Sequence, residues 1–134
     1  MSAENVDLAR RTIEHFNQTG QILESAYHPD LEYHVASDLP DSGVYHGIEA
    51  YRTFVKQFVD VFEEFHLEIE EIFDKGEYVV VSAILRGRVR GTGAEITMPE
   101  SYVTKIRDGK GVEMREYRTI QAALEAADAA QVTD

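Results

Sequence analysis

Val6, Ala9, Ile13 and Phe16 recur at spacings of three and four, which predicts a helix over residues 5–18, and Gly20 follows as its stop. A second short helix fits Gln21 to Tyr27, closed off by Pro29. Leu31 to Val35 alternates apolar and polar as a strand does, and Asp38 to Gly47 has the Pro, Asp, Ser and Gly content of a loop. Ile48, Tyr51, Phe54, Val55, Phe58 and Phe62 then share one face of a longer, strongly aromatic helix. From Leu67 the period changes to two, and strands are predicted at 66–73, 77–90, 95–106 and 110–118. Thr119 caps a closing helix that reaches about Ala129, with Ile120, Ala123, Leu124 and Ala127 as its buried stripe. This order predicts an α+β domain with helices on one face of a curved antiparallel sheet. There is no internal repeat, and residues 1–134 are expected to form a single domain with loose ends at about 1–4 and 130–134.

Turn chemistry assigns the faces. Asp74-Lys75-Gly76 and Arg107-Asp108-Gly109 each fit a three-residue hairpin loop, pairing Phe73 with Glu77 and Ile106 with Lys110, while Thr92-Gly93 pairs Gly91 with Ala94. Propagated by alternation, these turns put Leu67, Ile69, Glu71 and Phe73 on the face of Val79, Val81, Ala83 and Leu85. Met98, Glu100, Tyr102, Thr104 and Ile106 join it from the third long strand, and Val112, Met114 and Glu116 from the fourth. This more apolar face is expected to meet the helices. The other face is also partly apolar, at Tyr78, Val80, Ile84, Val103 and Tyr117, and no helix remains to cover it. A homodimer through that face is the expectation.

The 134 residues include 13 Lys and Arg against 25 Asp and Glu, a net charge of −12 that disfavours nucleic acid and anionic membranes as partners. No cysteine is present, which excludes disulfide scaffolds, thiol catalysis and cysteine-based zinc sites. The acidic start has no apolar h-region, and no segment is long and apolar enough to span a bilayer, so a cytoplasmic location is expected. The sequon Asn17-Gln18-Thr19 is accordingly read as a chance match.

The order of elements, the segment Tyr27-His28-Pro29-Asp30-Leu31-Glu32-Tyr33-His34, the Gly47-Ile48-Glu49-Ala50 helix start, the Asp108-Gly109-Lys110 turn and the ending from Glu116-Tyr117-Arg118-Thr119 to Ala126 resemble the SnoaL-like polyketide-cyclase family. This family belongs to the nuclear transport factor 2-like, ketosteroid-isomerase-like superfamily. The resemblance implies a cone-shaped sheet wrapped around helices, a small-molecule ligand inside the cone and a dimer through the sheet. It does not carry over an intact catalytic set. Ile13 stands where ketosteroid isomerases have a tyrosine donor, and Val35 stands near the place of their acidic base. Tyr102 stands at their second acid and near the cyclase base, while Ala83 and Leu85 occupy the Arg and Asp positions of limonene-epoxide hydrolases. Of these enzymes' acids, only the counterpart of Glu116 is matched.

Glu100 and Glu116 are the most informative pair, because the three-residue loop sets them directly opposite each other on adjacent strands. Two carboxylates in an apolar interior do not both ionise readily, and a carboxylic acid held neutral beside a carboxylate is equipment for general acid–base chemistry. The alternatives are a bulge that turns Glu100 to solvent, or neutralisation by Arg118 or Arg86. Tyr102, one step along the same strand, is a candidate hydrogen-bond donor to an oxyanion. Tyr33, at a position where the family often has tryptophan, and Phe54, Phe58, Met98 and Met114 are candidate ligand-lining residues, with ordinary core packing as the competing reading. No two histidines have the spacing of a helical or strand metal motif, so no metal and no cofactor is expected. The acidic run Asp60, Glu63, Glu64, Glu68, Glu70 and Glu71 is explained by pairing with Arg86, Arg88 and Arg90.

The functional expectation is a cofactor-free isomerase, cyclase or hydratase/hydrolase acting on a small apolar carbonyl-bearing ligand. Glu116 would be its base, Glu100 the proton-sharing partner and Tyr102 the donor. The alternative is a non-catalytic ligand-binding or dimeric interaction module of the same fold.

Overall fold

The computed structural model describes residues 2–36 and 43–133. Helix α1 spans Ser2–Thr19, strand β1 Tyr27–His34, strand β2 Val44–His46 and helix α2 Ile48–Asp60. Four long strands follow, β3 Phe62–Lys75, β4 Tyr78–Val89, β5 Glu95–Arg107 and β6 Lys110–Tyr117, and helix α3 closes the order at Ile120–Thr133. The strands form one six-stranded sheet in the order β2-β1-β6-β5-β4-β3. Every pairing is antiparallel except β1 with β6, which is parallel.

The helix stripes sit where their periodicity put them, but several boundaries differ. Gly20, at φ 74°, stops α1 with its N–H on the Phe16 carbonyl. The short second helix is only a 3-10 turn at Glu24–Ala26, and β1 begins at Tyr27 rather than Leu31. Pro29 is accommodated inside that strand, whose pairing with β6 is irregular between Tyr27 and Glu32. Val44–His46, expected as loop, adds β2 at the sheet edge, while residues 38–42 of that loop lie outside the described residues. Ser2–Glu4 and Ala130–Thr133, expected as loose ends, are helical.

All three hairpin registers differ from expectation. Gly76-Glu77 makes a two-residue turn, Gly76 taking φ 73° as a type II′ turn requires, so Lys75 faces Tyr78. A bulge at Glu70 then turns Glu71 and Phe73 to the face opposite Leu67 and Ile69. The β4–β5 loop runs over residues 90–94 and pairs Leu85 with Met98. At the last hairpin Asp108 and Gly109 both have positive φ, 52° and 74°, a two-residue turn pairing Arg107 with Lys110. A bulge at Val112 adds one more residue, so Tyr102, not Glu100, stands opposite Glu116. Each β4–β5 and β5–β6 shift amounts to two residues over most of its length, and an even shift preserves the face.

That face packs on α1 and α2. Ile13 meets Leu67, Val79, Val81, Ala83 and Leu85, with Phe16, Phe58, Phe62 and Phe65 in edge and tilted ring contacts at one end. Asn17 fixes α1 on β3, since its amide oxygen accepts from the Leu67 N–H at 2.9 Å and its amide nitrogen donates to the Leu67 carbonyl at 2.8 Å. On the opposite face, α3 lies over Tyr78, Val80 and Val103 with Ala123 and Ala127 fully buried against them. Thr119 caps this helix through its Oγ1, which accepts from the Ala122 N–H at 3.1 Å. The expectation that the outer face has no helix to cover it, leaving Val80 and Val103 to a second subunit, is therefore corrected. The small Ala-rich stripe of α3 lets it sit close on the sheet, while Ile84, farther along β4, stays half-buried. There Arg86 pairs with Glu68 at 2.8 Å and Arg88 with Glu64 at 3.0 Å, the cross-strand pairing the charge pattern implied.

Candidate functional site

Alternation along β5 and β6 aims Met98, Glu100, Tyr102, Met114 and Glu116 at the helices, and a cavity of about 270 Å³ is left between them. Tyr33 of β1 and Phe54 and Phe58 of α2 complete the wall on the helix side, so all eight candidate residues line this one space. A cavity this size sits at the lower end of small-ligand sites and is not filled by the surrounding aromatic rings. Tyr33 leans on Tyr51 at 4.7 Å and on Phe54 at 5.4 Å between ring centroids.

Glu100 is 3% exposed. One carboxyl oxygen, Oε1, accepts from Arg118 Nη1 at 2.8 Å, while the same guanidinium donates through Nη2 to Met98 Sδ at 3.3 Å. The other oxygen, Oε2, is buried with no hydrogen-bond partner among the described residues. A bulge turning Glu100 to solvent is thus ruled out, and Arg86, paired with Glu68 outside, is not the neutralising arginine. Glu116 is held differently. Its Oε2 accepts from the Tyr33 hydroxyl at 3.2 Å and its Oε1 from the Ala36 N–H at 3.1 Å. Each of its two oxygens thus accepts from a donor.

Burial, followed by the neighbouring Glu116 charge, pushes the Glu100 carboxyl up to about 8, against the opposing pull of Arg118 and Tyr102. Burial also pushes Tyr33, Tyr51 and Tyr102 well above the ordinary phenol value, with the nearby carboxylates and hydroxyls adding to it. These hydroxyls consequently stay protonated and available as donors.

Tyr27 and Tyr51 were not singled out from the sequence, yet both line the cavity and bring hydroxyls to it. Their rings meet at 5.4 Å, and Tyr51 directs its hydroxyl to Met114 Sδ at 3.7 Å. The available signal was Tyr51 itself, a polar-tipped side chain at an inward position of the α2 stripe.

Fold and site together define an α+β domain of the nuclear transport factor 2-like kind, with a carboxyl pair inside its cavity. The SnoaL-like domain family profile matches residues 9–114, and the chain belongs to that family. A protein described as a SnoaL-like polyketide cyclase from Jannaschia sp. CCS1 superposes with a TM-score of 0.76 at 21% identity, covering 96% of this chain and 94% of that one. Bal32a, from a soil-derived mobile gene cassette, gives 0.79 at 15% identity over 93% and 96% of the two chains. TerC, co-crystallised with polyporic acid, gives 0.73 at 21% over 93% and 98%. These likenesses concern the fold. No curated protein matches the sequence. Among the described residues no helix is long and apolar enough to cross a membrane.

Proposed function

We propose that the protein binds a small, largely apolar carbonyl compound in the cavity and moves a proton on it without a cofactor. The observation that carries this reading is the carboxyl pair: Glu100 is buried with one oxygen that has no partner among the described residues, beside Glu116, which is anchored by Tyr33 and Ala36. Glu116 would take a proton from the carbon next to the carbonyl, while Glu100 gives its proton to the carbonyl oxygen, with Tyr102 donating a hydrogen bond to the same atom. With an unsaturated carbonyl compound, protonated Glu116 returns the proton at another carbon of the dienol in an isomerisation, or to the electrophilic group that the enol carbon attacks in a cyclisation. In both cases the enol hydroxyl gives its proton back to Glu100 as the carbonyl re-forms. Tyr33, Phe54, Phe58, Met98 and Met114 would shape the apolar part of the ligand site. That TerC was co-crystallised with polyporic acid supports a small organic ligand in this fold.

The Arg118 guanidinium favours a second reading. At 2.8 Å from Glu100 Oε1 it opposes protonation, and a fixed ion pair there would suit a domain that binds without catalysis. Carboxyl-carbon NMR titration separates the two. The first reading expects one side-chain carboxyl with a midpoint near 8, absent in Glu100→Gln. If every carboxyl titrates in the ordinary range, the shared-proton site is lost and binding alone remains.

We further propose a cytoplasmic homodimer, joined through the part of the outer sheet face that α3 leaves open. The acidic, cysteine-free composition supports the location, and half-buried Ile84, surrounded by Ser82, Arg86 and the Glu68 pair, supports the contact. Sedimentation velocity should find dimers of the unmodified protein at micromolar concentration and monomers of Ile84→Glu. A monomeric unmodified protein would refute the dimer outright.

A further inference from the structure

We propose that Glu32, His34 and Glu113, with His46 as a fourth ligand, form a Zn²⁺ site on the sheet face opposite the cavity. The residues are far apart in sequence, and the strand order assembles them. Glu32 and His34 lie two apart on β1 and so project from the same side. Glu32 stands opposite His46 of β2 on one flank and opposite Glu113 of β6 on the other, which makes a row of three potential ligands across three strands.

Side-chain geometry draws them together. His34 Nε2 lies 2.8 Å from Glu32 Oε1, and His46 Nδ1 lies 3.7 Å from Glu32 Oε2. One ligand atom each of Glu32, His34 and Glu113 lies within 4.8 Å of the others. Ligand atoms of a tetrahedral zinc ion, each about 2.0–2.2 Å from it, lie about 3.4 Å apart, so the 2.8 Å contact of Glu32 with His34 would open and the wider spacings would close. The His34 side chain is 19% exposed, so its imidazole is held in place rather than waving in solvent. Two imidazoles and two carboxylates form a mixed nitrogen and oxygen set that suits zinc better than calcium or magnesium, which prefer oxygen alone.

Among the described residues, Arg115 brings a positive charge to this cluster. It stands opposite His34 on β6 and its Nε donates to Glu113 Oε1 at 3.2 Å. The guanidinium therefore competes with a cation for Glu113, and the ion must displace it. Binding would clamp β1 to β6 directly behind Tyr33 and Met114, which are paired in that parallel ladder and turn their side chains into the cavity. The proposal does not depend on what the cavity binds.

Isothermal titration of the tag-free chain with Zn²⁺, and the visible spectrum of bound Co²⁺ as a probe of geometry, provide the test. One ion per chain is expected, with a tetrahedral Co²⁺ spectrum. Glu32→Gln and His34→Gln should each weaken binding about tenfold or more, given that even outer-sphere changes cost that much. Arg115→Gln should tighten it, and His66→Gln, on a strand at the far edge of the sheet, should leave it unchanged. These are surface changes, and circular dichroism checks that each variant is folded. Absence of binding, or binding that Glu32→Gln and His34→Gln do not weaken, overturns the site.

Discussion

Glu116→Gln should lower kcat by roughly 10²–10⁴-fold, the usual worth of a positioned general base, and leave ligand affinity within a few-fold. The side chain keeps its length, and an amide oxygen can still accept from the Ala36 N–H that holds Oε1. The Tyr33 hydroxyl, which donates to Oε2, can rotate to accept from an amide nitrogen instead. The cavity wall is thus preserved while its proton acceptor is gone. Glu100→Gln should cost less, because an amide N–H₂ next to Tyr102 still donates to a carbonyl oxygen, although it cannot give up a proton. Turnover of a substrate found by screening small carbonyl compounds, measured alongside its dissociation constant by NMR, checks both. If Glu116→Gln turns over at the unmodified rate, the proton-transfer role is abandoned.

The parts of this site that could be read in the sequence are those that depend on parity alone. Glu100 and Glu116 were placed on one face by turn chemistry whose registers differ from the real ones. At the last hairpin the two-residue Asp108-Gly109 turn shifts the register by one and the Val112 bulge by one more. Because the sum is even, both glutamates still enter the cavity, although Tyr102 rather than Glu100 faces Glu116. At Glu70 a single bulge has no such compensation, and Phe73 ends up under α3 instead of in the cavity. Nothing in a local pattern marks where a strand will take an extra residue. The stripe of α3 was equally legible, but its destination was not: Ile120, Ala123, Leu124 and Ala127 specify a face to bury and say nothing about which side of the sheet receives it. The same limit applies to Arg118, whose link to Glu100 depends on where the chain turns between β6 and α3. It applies most strongly to Glu32, His46 and Glu113, which only the pairing of β1 with both β2 and β6 brings side by side.

Stability of the unmodified protein relative to Glu100→Gln should fall as pH rises from about 5.5 to 7.5, by up to about 3 kcal/mol in total. The sign follows from where the proton is. Glu100 titrates near 8 in the folded protein and near the ordinary value of 4.5 once unfolded, so between these values the folded state binds more protons than the unfolded one. Stability then decreases with pH, by at most about 1.4 kcal/mol per pH unit for one group. The contribution is complete below the unfolded value and is lost as pH climbs through the folded one. Its cause is burial together with the Glu116 charge, so it should shrink in Glu116→Gln, where Glu100 ionises at lower pH. The other ionisable groups are common to both proteins, and the difference between them reports on the Glu100–Glu116 pair. Urea denaturation at several pH values, comparing extrapolated unfolding free energies at matched m-values, gives this difference directly. Curves for the two proteins that run parallel across the range would mean that Arg118 already holds Glu100 ionised, and the cavity would then carry a fixed ion pair in place of a transferable proton.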